Sequence, residues 1–383
     1  MRVTTGELGT MEDFLESGHS VGLEKEFYIV DGENGMTNDS YNLVHDIGDR
    51  MEKELGAYDS HWGPKCYEDL SGPLEITTRP CKDLRQLTKD ISTSYKIAQE
   101  EAEKNSLYAL GMGIRPGKKD DHAGLHVHVG FKDEGEAEYV FHALQKHVPD
   151  IMALSANSPT NYGGIKDVRQ VGGFFTQVVE NLLAIPTLWG HNFSKYGHTS
   201  RRSVIYMRDN TVEVRCMDSQ GSGEEDAAIG AYIFGIAEKA KEDFVKSVPM
   251  AEVGRREEKN FTRALIKGME ATFKVDGEKV KAYQVVEHTF EEIKPYLKKY
   301  KCPTKVLDVL KSKIEGRRSG ADDVLDIYKE ELPQGFLARL IAPFKRKEGQ
   351  KEHLIKHLAY RDEFKKEPEL EDAVPWHPVL AAA

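Results

Sequence analysis

Three short runs restrict what this chain can fold into: Glu24-Lys25-Glu26, His126-Val127-His128 and Glu213-Val214-Arg215. Each places two reactive side chains one residue apart inside a stretch that otherwise reads as a β-strand. In an extended chain residues i and i+2 project to the same side, so each run turns a pair of chemically active groups toward one face of a sheet. The alternate positions are apolar. Leu23, Phe27 and Ile29 interleave with the first run, Val127, Val129 and Phe131 with the second, and Val212, Val214 and Cys216 with the third. A sheet built from these strands would bury one face against helices and line the other with carboxylates, imidazoles and a guanidinium. A fourth run, Leu74 to Thr78, repeats the alternation and is expected to put Glu75, Thr77 and Arg79 on one face.

A face of that composition repels itself unless cations neutralise it. Carboxylate oxygens and imidazole nitrogens without thiolates suit hard divalent ions, Mg²⁺ or Mn²⁺, and an arginine beside them suits phosphate. The combination points to nucleotide chemistry. Taken singly, each pair has an ordinary alternative: Glu24 and Glu26 as solvent-facing residues of an amphipathic strand, His126 and His128 as structural histidines, Glu213 and Arg215 as a surface ion pair of little energetic weight. Four such strands in one chain favour a common site.

The runs GLEKEF at 22–27, GLHVHVGF at 124–131, ALSANSP at 153–159 and TVEVRCMD at 211–218, in that order, resemble the glutamate-cysteine ligase type 2 family of carboxylate-amine ligases. The similarity spans roughly residues 20 to 245. It implies a fold similar to glutamine synthetase: an α+β arrangement with a curved, largely antiparallel sheet, helices packed on one face, and divalent ions, ATP and the acyl substrate on the other. By that resemblance Glu24, Glu26, Glu75 and Glu213 would ligate metal, and His126 would touch metal or the nucleotide phosphates. His128 would line the same face, and Arg215 would steady the transferred phosphoryl group. The family usually carries a further acid four residues before the one matched by Glu75, where this chain has Ser71; Asp69, or its neighbour Glu68, would substitute. The family's substrate-facing basic residue would be Arg169.

The chemistry asks for these residue types. A carboxylate does not react with an amine at neutral pH until phosphorylation by ATP makes its carbonyl electrophilic and supplies a leaving group; cations and a forked guanidinium stabilise the charge that develops. The expected activity is therefore an ATP- and Mg²⁺- or Mn²⁺-dependent ligase joining a carboxylate, by the resemblance the γ-carboxyl of glutamate, to an amine, with cysteine the leading candidate. Glu213, Arg215 and Arg169 are the expected catalytic residues, and His126, His128, Arg202 and Arg215 the expected nucleotide contacts. Arg201 and Arg208 flank the same strand as further candidates for phosphate or a substrate carboxylate. The polar, Gly- and Pro-containing runs 115–124 and 158–169 are candidate closing loops. A metal-dependent phosphotransferase on the same scaffold and a nucleotide-binding protein without catalysis are the alternatives.

Elsewhere the sequence bounds the answer. A net charge of −11 gives no encouragement to nucleic-acid binding. No apolar run reaches bilayer length and the first residues read as no secretion signal, so a cytoplasmic protein without membrane association is expected. Four cysteines without C-x-x-C spacing read as free thiols. Apolar residues stepping by three or four predict helices from Leu84 to Ala102 and from Glu134 to Val148, the latter ended by Pro149, with a buried one over 224–245. Tyr108 to Ile114 reads as a strand. Beyond Gly254 charged residues crowd and strand signals nearly vanish, which divides the chain into a catalytic domain over 1–250 and a helical region over 251–383 packed on it, with helices near 282–297 and 321–332. Small-molecule substrates are the expected partners, and a homo-oligomer is left open.

Overall fold

The computed structural model describes residues 18–31, 41–56, 65–68, 73–113, 123–158, 160–161, 181–182, 204–207, 211–250 and 252–323. Among them, the long alternating run Val21–Asp31 forms strand β1 and lies at the centre of a seven-stranded sheet. Lys65–Glu68 (β2), Leu74–Thr77 (β3), β1, Gly124–Gly130 (β5), Ile205–Met207 (β8) and Thr211–Asp218 (β9) follow one another in the order β2-β3-β1-β5-β9-β8. Leu107–Leu110 (β4) pairs with the distal half of β1. Every pairing in this sheet is antiparallel. Two further short pairs stand apart: Thr160–Asn161 (β6) with Asn181–Leu182 (β7), and Thr272–Val275 (β10) with Glu278–Lys281 (β11).

Alternation decides which face is covered. Leu23, Phe27 and Ile29 of β1 are fully buried, together with Val127 and Val129 of β5 and Val212 and Val214 of β9, in one continuous core. Each such side chain contributes about 1.5–3 kcal/mol relative to exposure. Helices Leu84–Lys104 (α2), Glu134–Ser155 (α3) and Gly223–Val245 (α4) close over that core, α2 against β1 and β3, α4 against β1 and β5, α3 against β8 and β9. Tyr41–Leu55 (α1) packs on α2. The α+β sheet with its helical layer is thus the architecture the alternation implies.

The expected helix starts hold because the capping residues are present. Asp83, Asp133 and Ser222 each accept a hydrogen bond from the backbone N–H three residues on, at Gln86, Glu136 and Glu225. One expected stop fails: α3 runs through Pro149 to Ser155. Proline removes one backbone hydrogen bond, but Val148, Ile151, Met152 and Leu154 beside it are fully buried, and that packing outweighs the loss. The strand expected over Tyr108 to Ile114 is shorter. It ends at Leu110, and beyond it a Cβ at Gly111 would overlap the Gln220 carbonyl and one at Gly113 would overlap Ser158 and Asp218, so glycine lets this backbone lie close against its neighbours.

Beyond residue 254, Arg255–Lys267 (α5), Ala282–Lys299 (α6) and Thr304–Gly316 (α7) are helical, and α6 and α7 both lie against α4. The expectation that strands nearly vanish there is corrected by the β10–β11 hairpin. Asp276 and Gly277 sit at its tip with φ of 48° and 89°, the pair of positive values that a two-residue hairpin turn of matching twist requires. Only the first residues of the helix expected near 321–332 fall among those described. No helix among the described residues is long and apolar enough to cross a membrane.

Candidate active site

Pairing register carries the reactive runs to a single patch. Glu24 lies directly opposite His126, and His128 directly opposite Glu213. Glu26 lies opposite Glu75 on the other side of β1, one row along. The register between β5 and β9 shifts once: Leu125 pairs with Met217 and Val127 with Val214, so Arg215 and Cys216 together oppose the single residue His126. Such a bulge bends the strand and re-aims a side chain. Here it sits at the arginine.

The side chains meet. Glu24 Oε2 is 3.1 Å from His126 Nδ1, and Glu24 Oε1 is 3.1 Å from His128 Nε2. Glu213 Oε1 lies 3.7 Å from His126 Nδ1, 3.9 Å from His128 Nε2 and 3.2 Å from Arg215 Nη1. Thr211 stands beside them, its Oγ1 3.4 Å from His128 Nδ1. Glu213 is fully buried, with 0% exposure, which a carboxylate tolerates only when opposite charge surrounds it. Burial pushes the Glu24 carboxyl up, but hydrogen bonds from His126 and His128 and their charge outweigh it and hold the group well below the usual carboxylate range. For His126 burial favours the neutral ring, yet Glu24 and Glu26 prevail and raise its pKa.

The donor set fits a hard divalent ion. Glu24, His128 and Glu213 each offer a ligand atom, and these atoms lie within 4.8 Å of one another. That trio includes His128, which the sequence assigned to the nucleotide, whereas His126 bridges Glu24 and Glu213 from the neighbouring row. His126 Nε2 is buried without a hydrogen-bond partner among the described residues. Glu26 and Glu75 form a second pair of acids on the same face, and Glu26 Oε2 accepts the Gly124 N–H at 2.7 Å, which ties the start of β5 to β1.

Other expected residues fare differently. Arg79 does not join the face. The strand ends at Thr77, and the guanidinium turns to α2, where its Nε donates to Asp90 Oδ2 at 2.6 Å and its Nη2 to Asp90 Oδ1 at 2.9 Å. Asp69, Ser71, Arg169, Arg201, Arg202 and Arg208 lie outside the described residues, as do residues 115–122 of the first candidate loop and 159 and 162–169 of the second. The backbone of Glu68 is opposite Leu74, and Tyr67 is the residue opposite Glu75. Two residues not singled out from sequence share rows with the site: Tyr206, opposite Glu213, and Lys65, opposite Thr77 and so in line with Glu24. Only the register shows them, because neither belongs to an alternating reactive pair.

Residues 20–123 and 121–169 match the model of glutamate-cysteine ligase family 2. A glutamate-cysteine ligase of Haloquadratum walsbyi is 26% identical over 313 residues, covering 71% of this chain and 84% of the relative. One of Halobacterium salinarum is 26% identical over 273 residues, covering 59% and 71%. Among solved structures, the ligase in complex with the prokaryotic ubiquitin-like protein Pup superposes with a TM-score of 0.51 at 14% identity, covering 90% of this chain and 73% of that one. The glutamate-cysteine ligase of Francisella tularensis in complex with AMP superposes with a TM-score of 0.50 at 11% identity, covering 90% and 95%.

Proposed function

We infer that this chain is an ATP-dependent ligase that forms a carbon–nitrogen bond between a carboxylate and an amine, of the kind whose family model its residues 20–169 match. The observation that carries this reading is the meeting of Glu24, His128 and Glu213 within 4.8 Å, with Arg215 Nη1 3.2 Å from Glu213, on a sheet face opposite the helical layer. Relatives named glutamate-cysteine ligase support glutamate as the acyl donor and cysteine as the leading amine.

Glu24, His128 and Glu213 would hold one Mg²⁺ or Mn²⁺, with Glu26, Glu75 and Asp69 as candidates for a second position. Bound there, divalent ions neutralise nucleotide oxygens and the charge that develops on the transferred phosphoryl group. His126 and His128, whose ring nitrogens each lie 3.1 Å from a Glu24 oxygen, would orient that carboxylate toward the cation. Arg215, held beside Glu213 by the bulge, presents a forked, permanently charged donor to a phosphoryl oxygen; such a contact is worth about 3 kcal/mol in a transition state. Arg169 and Arg202 are proposed to orient the acyl substrate and the nucleotide. Transfer of the γ-phosphoryl group to the substrate carboxylate gives an acyl phosphate and ADP. Attack by the amine on the acyl carbon then expels inorganic phosphate and leaves an amide. We place this chemistry in the cytoplasm, where ATP is supplied.

The test is an ADP-release screen with glutamate and each candidate amine in turn, with mass detection of the condensed product. Amine-dependent ADP release with an amide product is expected. A stable phosphorylated product would mean a phosphotransferase, and nucleotide binding without ADP release would mean no catalysis.

A further inference from the structure

The helix-facing stripe of β1 reads Leu23, Lys25, Phe27, Ile29, so a cation occupies a place where the pattern demands an apolar residue. Lys25 has 0% exposure. Its ammonium donates to the carboxylate of Asp226, also fully buried, and to the Gln220 carbonyl at 2.7 Å, and it lies 4.2 Å from the centre of the Tyr95 ring. The partners come from elements that are fixed by other means. Asp226 is in the first turn of α4. Gln220, in the turn between β9 and α4, donates through its Nε2 to the carbonyls of Ser155 and Asp218, both at 2.7 Å. Asn157 completes the knot, its N–H donating to Asp218 Oδ2 at 2.7 Å and its Nδ2 to the carbonyls of Gly111 and Ser219 at 3.1 and 2.7 Å. Gly111 leaves room for it, since a Cβ there would stand 3.1 Å from Lys25 Nζ.

We propose that Lys25 is a positioning residue: through Asp226 and Gln220 it fixes β1 along its own axis and so holds Glu24 and Glu26, its two neighbours on the opposite face, at the places where they meet His128, Glu213 and Glu75. The inference rests on the reading of those acids as cation ligands. An apolar residue at position 25 would pack equally well but is nondirectional, and a strand side chain that can slide shifts both adjacent acids with it. Buried ion pairs are weak devices for stability and are better attested as devices for register. Stability and cation affinity are therefore separable here, which a purely structural role does not permit.

The double variant Lys25→Met/Asp226→Leu exchanges the pair for apolar residues of similar size. With the full chain, Mn²⁺ affinity is read from the spin-resonance signal of free Mn²⁺, and amide exchange at residues 23–26 is read without metal. The expected result is a wild-type unfolding temperature with Mn²⁺ affinity weakened about 10- to 100-fold, the range seen when groups that orient ligands are removed. Exchange at the amides of Glu24 and Glu26 should be faster. Wild-type affinity and exchange in the folded variant would overturn the proposal. If the double variant does not fold, Asp226→Asn, which removes the charge but keeps the shape, is judged by the same two measurements. Glu24→Gln separates the two layers: if it binds Mn²⁺ as tightly as wild type, the ligand assignment falls, and the metal-free exchange alone then decides the role of Lys25.

Discussion

Glu213 is the residue on which the site turns, since it is fully buried and draws Arg215, His126 and His128 to within 4 Å of one oxygen. Glu213→Gln keeps its shape and removes its charge, so Mn²⁺ affinity is expected to fall about 10- to 100-fold in a titration while the fold persists. Arg215→Lys tests geometry, not charge: a single ammonium cannot reproduce the fork, and kcat is expected to fall about 100-fold with a smaller change in KM for ATP. The acids and histidines were legible in the sequence because period-two alternation sorts residues by face. Lys25 was not, because its partner lies 201 positions away in what reads as an ordinary acidic helix start. Arg79 was misplaced because alternation has no meaning beyond the strand's last residue.

Among the elements, boundaries follow capping and turn chemistry. Asp83 accepts the Gln86 N–H at 2.9 Å at the start of α2 and faces Lys301 Nζ at 3.0 Å, so Asp83→Ala is expected to cost about 1 kcal/mol in urea unfolding. Gly277, at φ 89°, occupies a conformation that L-residues resist, and Gly277→Ala is expected to cost about 1–2 kcal/mol. The Asp-Gly dipeptide between Val275 and Glu278 is a hairpin signal that crowded charges obscured. Pro149 misled in the opposite sense: a local rule predicted a stop, and burial on both sides of it, visible only once the sheet is in place, overrode the rule.

At the scale of the molecule α4 is the shared wall, with the sheet on one side and α6 and α7 on the other. A Cβ at Gly235 would lie 3.0 Å from Ile293 Cβ, so Gly235→Val is expected to cost about 1–3 kcal/mol and to lower the unfolding temperature of sheet and C-terminal helices together. Glu238 ties the same helix to the entry of β1, with its oxygens 2.7 Å from His19 Nδ1 and 2.5 Å from Lys241 Nζ, and Lys241 in turn donates to the Gly18 carbonyl. Burial raises the Glu238 pKa, but His19 and Lys241 more than offset it and the group ends below its ordinary value. Its stabilising contribution is thus complete above the usual carboxylate range, about pH 4, and is lost as pH falls through the lower folded value; Glu238→Gln should flatten that acid limb in thermal unfolding. The sheet and its helical layer were legible because both rest on periodicity, whereas the docking of α6 and α7 on α4 depends on contacts between residues far apart in sequence. The convergence of three strands on one cation is tested most directly by anomalous diffraction from crystals of this protein soaked in Mn²⁺. A peak in coordination contact with Glu24, His128 and Glu213 is the expected result, and density at other residues with these three left uncoordinated would contradict it.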